Sequence, residues 1–399
     1  MSLYNLGPYF VLLALLCLLY SLPAFKFLDA EASMPGRVST IDGLRGFLAL
    51  SVFAYHGLIN YSYMVDGKWQ APGALFYRPL GGVAVMFFFM ITAYLFWGRL
   101  LKQDGRPNWK SIYINRFFRI APLYIATVIG LIIIVFWRTG FTIHEPARDL
   151  IEHCARWLAF GLDDSMPPIN AFPWTVFILM GVTWSIKYEW WFYFSLVVLA
   201  IFVQLRMHLV FALVGLVASL AFAIGSSNDF AYLPAAFFCG IATASLLHEG
   251  FRPTLSPNAM SAIAAACMVV LFSFAKSHAG EVQIILIGAT FYLICSGASM
   301  FGVLHLRSAE RLGHISYGIY LIQGIPMTLL YWHPEFKAWA IRSTAHYWLS
   351  LLVCAVILCV VSSIAHVAIE RPFISIGKRL SKRSRSGKRD NEARMPSTS

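Results

Sequence analysis

A few ionisable side chains lie inside long apolar runs of this chain, and they are where chemistry can be sought. A polar group in hydrocarbon is costly and is kept where it has a task and a partner. The stretch from Asp42 to His56 reads DGLRGFLALSVFAYH. Arg45 and His56 are eleven residues apart. At ~100° per residue that spacing falls within about 20° of three full turns, so the two share one helix face. The rise between them is ~16 Å, about half the hydrocarbon thickness, which sets His56 near mid-membrane when Arg45 sits at an interface. Asp42, three residues before Arg45, is placed to pair with it. An imidazole there can take up a proton near neutral pH or act as a nucleophile, and a guanidinium fork at the rim suits an anion. The bland alternative makes Arg45 a topological anchor and His56 an interhelical hydrogen bond.

The elements that must hold these residues are membrane helices. Of 399 residues, 59% are apolar and only 13% are charged, and mean hydropathy is +0.67. So few charges cannot cover a water-facing surface, which excludes a soluble enzyme, a secreted disulfide scaffold and a disordered chain. The apolar runs are continuous rather than alternating, which excludes a β-barrel. Runs near 6–24, 44–63, 81–98, 118–137, 183–204, 208–225, 231–247, 258–275, 283–304, 315–332 and 346–369 predict eleven crossings. The fold class is therefore an all-α polytopic transmembrane bundle. None of the seven cysteines forms a CxxC pair or a metal-ligand spacing, so no metal site is expected.

The net charge of +12 is concentrated by position. Residues 370–399 carry nine Lys/Arg, a pattern that suits anionic lipid rather than nucleic acid. On alternate loops the Lys/Arg divide 22 to 8, with Lys187 inside a span, which predicts a cytoplasmic C-terminus and an outside N-terminus. The first run could be a cleaved signal peptide, with Ala30 and Ala32 as the cleavage pattern. No basic residue precedes it, however, and the segment after it lies on the basic side, so an uncleaved helix is expected. The long segment 138–173, on the opposite side, is expected to hold a short amphipathic helix near 147–160.

The Asp42, Arg45 and His56 pattern resembles the acyltransferase 3 family of membrane acyltransferases. Further motifs follow in order: GVAVMFFFMITAYLF (82–96), with Thr92 and Ala93 where Ser and Gly are usual; INRFFRIAPLY (114–124), with Arg116 and Arg119; TWSIKYEWWFY (183–193), with Trp184, Ser185, Glu189 and Tyr193; LGHISYGIYLIQGIP (312–326), with Gln323 where histidine is common; and IERPF (369–373). The resemblance covers about residues 38–376. It implies a ten-helix core, preceded by one extra N-terminal helix with a linker (1–37) and followed by a basic cytoplasmic tail (377–399).

The resemblance further implies an inner-membrane O-acetyltransferase. Acetyl-CoA is the cytoplasmic donor, no cofactor is bound permanently, and a hydroxyl of a cell-envelope or secreted carbohydrate, lipid-linked in one version, is the acceptor. His56 and Arg45 are expected to be catalytic. Direct base catalysis and an acyl-imidazole both remain open. Arg116 and Arg119, with Asp42 beside Arg45, are expected to bind the donor phosphates. Glu189, Trp184 and Ser185 are expected to meet the acceptor, although Glu189 could pair with Lys187 or an arginine, and Trp184 could belong to an interfacial belt. Tyr317 and Tyr320 are candidate lining residues, with plain helix packing as the alternative. Glutamine cannot act as a base, so Gln323 is left to binding or packing. The competing function is a glycan or lipid exporter, for which the expected internal duplication is not seen. A third reading is an inactive relative.

Overall fold

The computed structural model describes residues 2–31, 38–163, 165–226, 228–274 and 280–392. Ala32 of the cleavage pattern, residues 32–37 of the linker, residue 164 of the 138–173 segment, Arg37 and Lys276 among the counted loop charges, and residues 393–399 of the tail fall outside these. The described residues form helices and turns without a strand. In order they are α1 (Leu6–Ser21), α2 (Ser39–Asp66), α3 (Leu80–Leu101), α4 (Trp109–Arg138), α5 (Ala147–Leu158), α6 (Thr175–Ile178), α7 (Trp184–Gln204), α8 (His208–Ile224) and α9 (Leu233–His248), then α10 (Pro257–Phe274), α11 (Glu281–Ser296), α12 (Arg307–His314), α13 (Ser316–Ile322), α14 (Gly324–Tyr331), α15 (Pro334–Ile341), α16 (Thr344–Ala365) and α17 (Arg371–Glu392).

The protein is an all-α, multi-pass bundle. Among the described residues six helices are long and apolar enough to cross a membrane: α3, α4, α7, α10, α9 with the 3-10 turn before it, and α16 running on into α17. The pair formed by α1 and the segment after it makes a seventh if taken as one span bent by 83°. All eleven apolar runs read from the sequence contain helix, and the shortfall has local causes. α8 and α11 have only 17 and 16 residues. The run at 315–332 is interrupted at Gln323, between α13 and α14. α2 is long, but it carries the polar residues that make it interesting. The amphipathic helix expected near 147–160 is α5.

Close helix contact sets the position of α2. A Cβ on Gly46 would lie 2.8 Å from the Leu312 Cβ and 2.9 Å from the Gly313 amide nitrogen, and one on Gly313 would run into the Asp42 carbonyl oxygen. Small residues on both sides thus let the backbones of α2 and α12 nearly touch, as at tight helix crossings in lipid. The start of α2, with Asp42 and Arg45, is held there.

The extra N-terminal helix is clamped to the same α12. Arg311 is only 2% exposed. Its Nε and Nη2 each lie 2.7 Å from an Asp29 carboxylate oxygen, and Nη1 donates to the Tyr20 and Leu22 carbonyls at 2.7 and 3.1 Å. The two-pronged carboxylate pairing uses the planar fork that a lysine lacks. Tyr20 also bonds Ser363 and the Cys359 carbonyl on α16, each at 2.7 Å.

The Gly46 contact makes a prediction. Gly46→Val forces a branched side chain into Leu312 and should cost about 1–3 kcal/mol. The detergent melting temperature should fall accordingly, and an unchanged value would show that α2 and α12 are not in backbone contact.

Candidate active site

α4 opens at Asn108, whose side chain accepts from the Ser111 amide at 2.9 Å. Arg116 and Arg119, three residues apart, then fall one turn apart on one face. That face, the start of α2, the end of α3 and the start of α17 enclose a cavity of about 730 Å³. Arg45, Arg99, Arg116, Arg119, Arg371 and Lys378 line it, with Glu189 as the carboxylate on the wall. So many cations around one low-dielectric cleft focus a positive potential into it.

Neighbours seat Arg45, Arg116 and Arg119. Arg45 lies 3.7 Å from Asp42. The Arg116 guanidinium stacks 4.7 Å from the Phe96 ring centre and 5.9 Å from that of Tyr193, a favourable cation–π arrangement. Arg119 lies 3.6 Å from Glu370, which is 1% exposed. A five-residue π-helical turn, His366–Glu370, joins α16 to α17 and brings Glu370 to α4. Such wide turns recur at functional sites. The next residue, Arg371, and Lys378 two turns later face the cavity from α17. Gly377 and Phe373 pack that helix on Phe118 of α4.

The inner end is formed by Ser185, Glu189, Ser316, Tyr317 and Tyr320. The Tyr320 hydroxyl lies 2.8 Å from Ser185 Oγ and 3.1 Å from the Val182 carbonyl. Tyr193 donates to Glu189, and Tyr317 donates to the Ile120 carbonyl at 2.9 Å.

His56 sits behind this end, half-buried and turned into the bundle. Its Nδ1 lies 3.0 Å from the Val52 carbonyl and 3.2 Å from Oε1 of Gln323. Gln323 Nε2 in turn donates to the Tyr320 carbonyl at 2.7 Å. Tyr320 therefore faces the cavity with its ring, while its backbone, through Gln323, is linked to His56.

The structure thus gathers Arg45, Arg116, Arg119, Ser185 and Glu189 on one cavity wall. Asp42 stands behind Arg45, and His56 lies beyond Tyr320 and is not part of the lining. Trp184 does not line the cavity either. It packs edge-on against Phe230, Tyr188 and Phe89, with ring centres 5.1, 5.8 and 6.5 Å away. Of the two motif departures in α3, Thr92 lines the cavity, while Ala93 is fully buried against Gly240 of α9. Sequence reasoning missed Arg99, Arg371 and Lys378, which had been counted only toward topology. Their signal is that Arg371 lies inside the quoted IERPF motif, with Lys378 shortly after it and Arg99 just beyond the α3 motif.

A helical bundle around a cationic cleft, with an imidazole behind its inner end, defines a multi-pass membrane protein with a positively charged cavity. The chain belongs to the acyltransferase 3 family, whose model, described as an acyltransferase domain, matches residues 38–364. It is accordingly a membrane acyltransferase. Neither the curated proteins nor the solved structures yield a match to this chain. The matched region begins just before α2 and leaves α1 outside, along with the π turn and α17.

Buried Glu370 makes Arg119 testable. Arg119→Met removes the cation from a carboxylate sealed in the bundle and should cost about 3 kcal/mol, as breaking one side of a buried pair does. Adding Glu370→Gln should recover much of the lost melting temperature. A single variant as stable as the parent would show that the pair does not hold α4 to the π turn.

Proposed function

We propose that this acyltransferase moves an acetyl group from acetyl-CoA to a hydroxyl of a cell-envelope or secreted carbohydrate. In this reading it lies in the inner membrane, with its basic face and C-terminus in the cytoplasm and its N-terminus outside. The observation that carries the reading is the cavity ringed by Arg45, Arg99, Arg116, Arg119, Arg371 and Lys378, since CoA presents several phosphates and guanidinium forks suit them. Asp42 holds Arg45 in place for that contact. The pantetheine arm then runs inward past Thr92 toward Ser185, Glu189 and Tyr320, and its thioester meets the acceptor near His56.

The chemistry assigned to His56 follows from its contacts. With Nδ1 facing two acceptors, Nε2 holds the lone pair. As the acceptor oxygen attacks the thioester carbonyl carbon, Nε2 takes the hydroxyl proton. The carbon–sulfur bond breaks, and the departing thiolate receives that proton from the imidazolium. In the covalent alternative Nε2 attacks the thioester carbon and the carbon–sulfur bond breaks to release the CoA thiolate; the acceptor hydroxyl then attacks the acyl-imidazolium carbon, the carbon–nitrogen bond breaks, and the hydroxyl proton goes to the thiolate.

Ser185 and Glu189 lie on the wall where the two substrates would meet, and Glu189 is assigned to orienting the acceptor hydroxyl. Trp184 has a lesser part, since its ring stays among Phe89, Tyr188 and Phe230. A better stacking surface for a sugar ring lies further along α2. Tyr63 is seven residues beyond His56 on nearly the same face. It clusters with Trp69, Trp174 and Phe177, with centroid distances of 4.6–5.9 Å, and Trp174 is 45% exposed.

Two measurements test the assignment. His56→Ala, still inserted in the membrane, should lower acetyl transfer by roughly 10²–10⁴-fold while leaving acetyl-CoA binding intact; full transfer by that variant would remove His56 from the reaction. Arg116→Ala should raise the KM for acetyl-CoA by about tenfold, the loss of one charge-assisted contact, and should change the KM for a dephosphorylated thioester much less. An exporter would release no CoA from acetyl-CoA under any of these conditions.

A further inference from the structure

Gln323 is a buried side chain that bridges His56 and the cavity wall, and it stands where the sequence departs from its family's pattern. It is 0% exposed. Its place is fixed by the backbone around it. The ladder between α13 and α14 is interrupted there, and Pro326 offers no N–H to the Ile322 carbonyl four residues earlier. A Cβ on the next residue, Gly324, would lie 2.8 Å from Leu179 backbone atoms, so the chain cannot shift without opening that contact.

The contacts of its amide determine a proton. The Tyr320 carbonyl, 2.7 Å away, can only accept, so the amide atom facing it is the NH2 group and the atom facing His56 is the oxygen. That oxygen and the Val52 carbonyl, at 3.2 and 3.0 Å, both point at His56 Nδ1. Two acceptors at one ring nitrogen require that nitrogen to carry the hydrogen, and in a neutral imidazole the lone pair is then on Nε2.

We propose that Gln323 is a positioning residue for the acyl transfer: it fixes the His56 ring in the Nδ1–H tautomer and in one orientation, so that Nε2 is always the reacting atom. The inference rests on the assignment of His56 above. It gives the glutamine a task that needs no basicity, only an oxygen at the right place and an NH2 to lock that oxygen's direction.

Kinetics of the full chain in membrane vesicles, with radiolabelled acetyl-CoA as donor and both incorporated label and released CoA as readouts, test it through two variants. Gln323→Met keeps the size and removes the acceptor, and should lower kcat on the order of 10–100-fold, as losing a group that orients a histidine does, with the KM for acetyl-CoA unchanged. Gln323→Glu in its protonated form keeps an oxygen toward Nδ1 and an O–H toward the Tyr320 carbonyl, and should retain most of kcat. A packing role predicts the reverse order, because the apolar isostere would be tolerated and a buried carboxyl would not. Met at least as active as Glu, or equal losses in both, overturns the proposal. His56→Ala runs alongside: if it alone retains turnover, the assignment of His56 has failed, whereas if it is inactive and Gln323→Met is normal, only the role of Gln323 has failed.

Discussion

Hydrocarbon offers nothing to a polar side chain, so burying one in this bundle calls for a partner, and the most telling partners here come from distant stretches of the same chain. That requirement organises the molecule. Arg311 reaches the bent N-terminal segment, Arg119 reaches Glu370 past the π turn, and His56 reaches Gln323 at the gap between α13 and α14. Each partnership joins elements far apart in sequence. Together with the glycine contacts that seat α2 on α12, these directed contacts help decide which helix lies beside which.

The cavity follows from the same arrangement taken to an unequal end. Guanidinium groups from α2, α3, α4 and α17 converge on one cleft, and of the carboxylates near them two are each placed beside a particular arginine while the third is held by a tyrosine. Asp42 stands behind Arg45, Glu370 behind Arg119, and Glu189 is engaged by Tyr193. Cations brought this close repel one another, so a multiply charged anion entering the cleft gains attraction and relieves that repulsion together. In the proposed reaction, selectivity for a phosphorylated carrier over a small acyl thioester would arise there, well away from the carbon that reacts.

Much of this was legible in the sequence, and the parts that were not share a cause. The shared face of Arg45 and His56, the α4 arginine pair and the membrane-helix composition are all expressed within a single helix, where periodicity is enough. Residues such as Arg371, Lys378 and Arg99 were visible as charges, but their direction depends on how α17 and α3 meet α4, which no local pattern encodes. Trp184 illustrates the converse: its motif is plain, yet its ring turns to neighbouring aromatics that only the tertiary fold supplies. Gln323 was read as a loss of basicity, because a substitution seen along the chain shows what a side chain cannot do and leaves out what it touches.

The five-residue turn from His366 to Glu370 carries a consequence for how this cleft can vary. An α-helix advances ~100° per residue, so removing the additional residue there would swing all of α17 by about a quarter turn. Arg371 and Lys378 would leave the wall with no side chain exchanged. The number of positive groups meeting the substrate is therefore set in part by helical register, and a single-codon insertion or deletion at that joint would retune it.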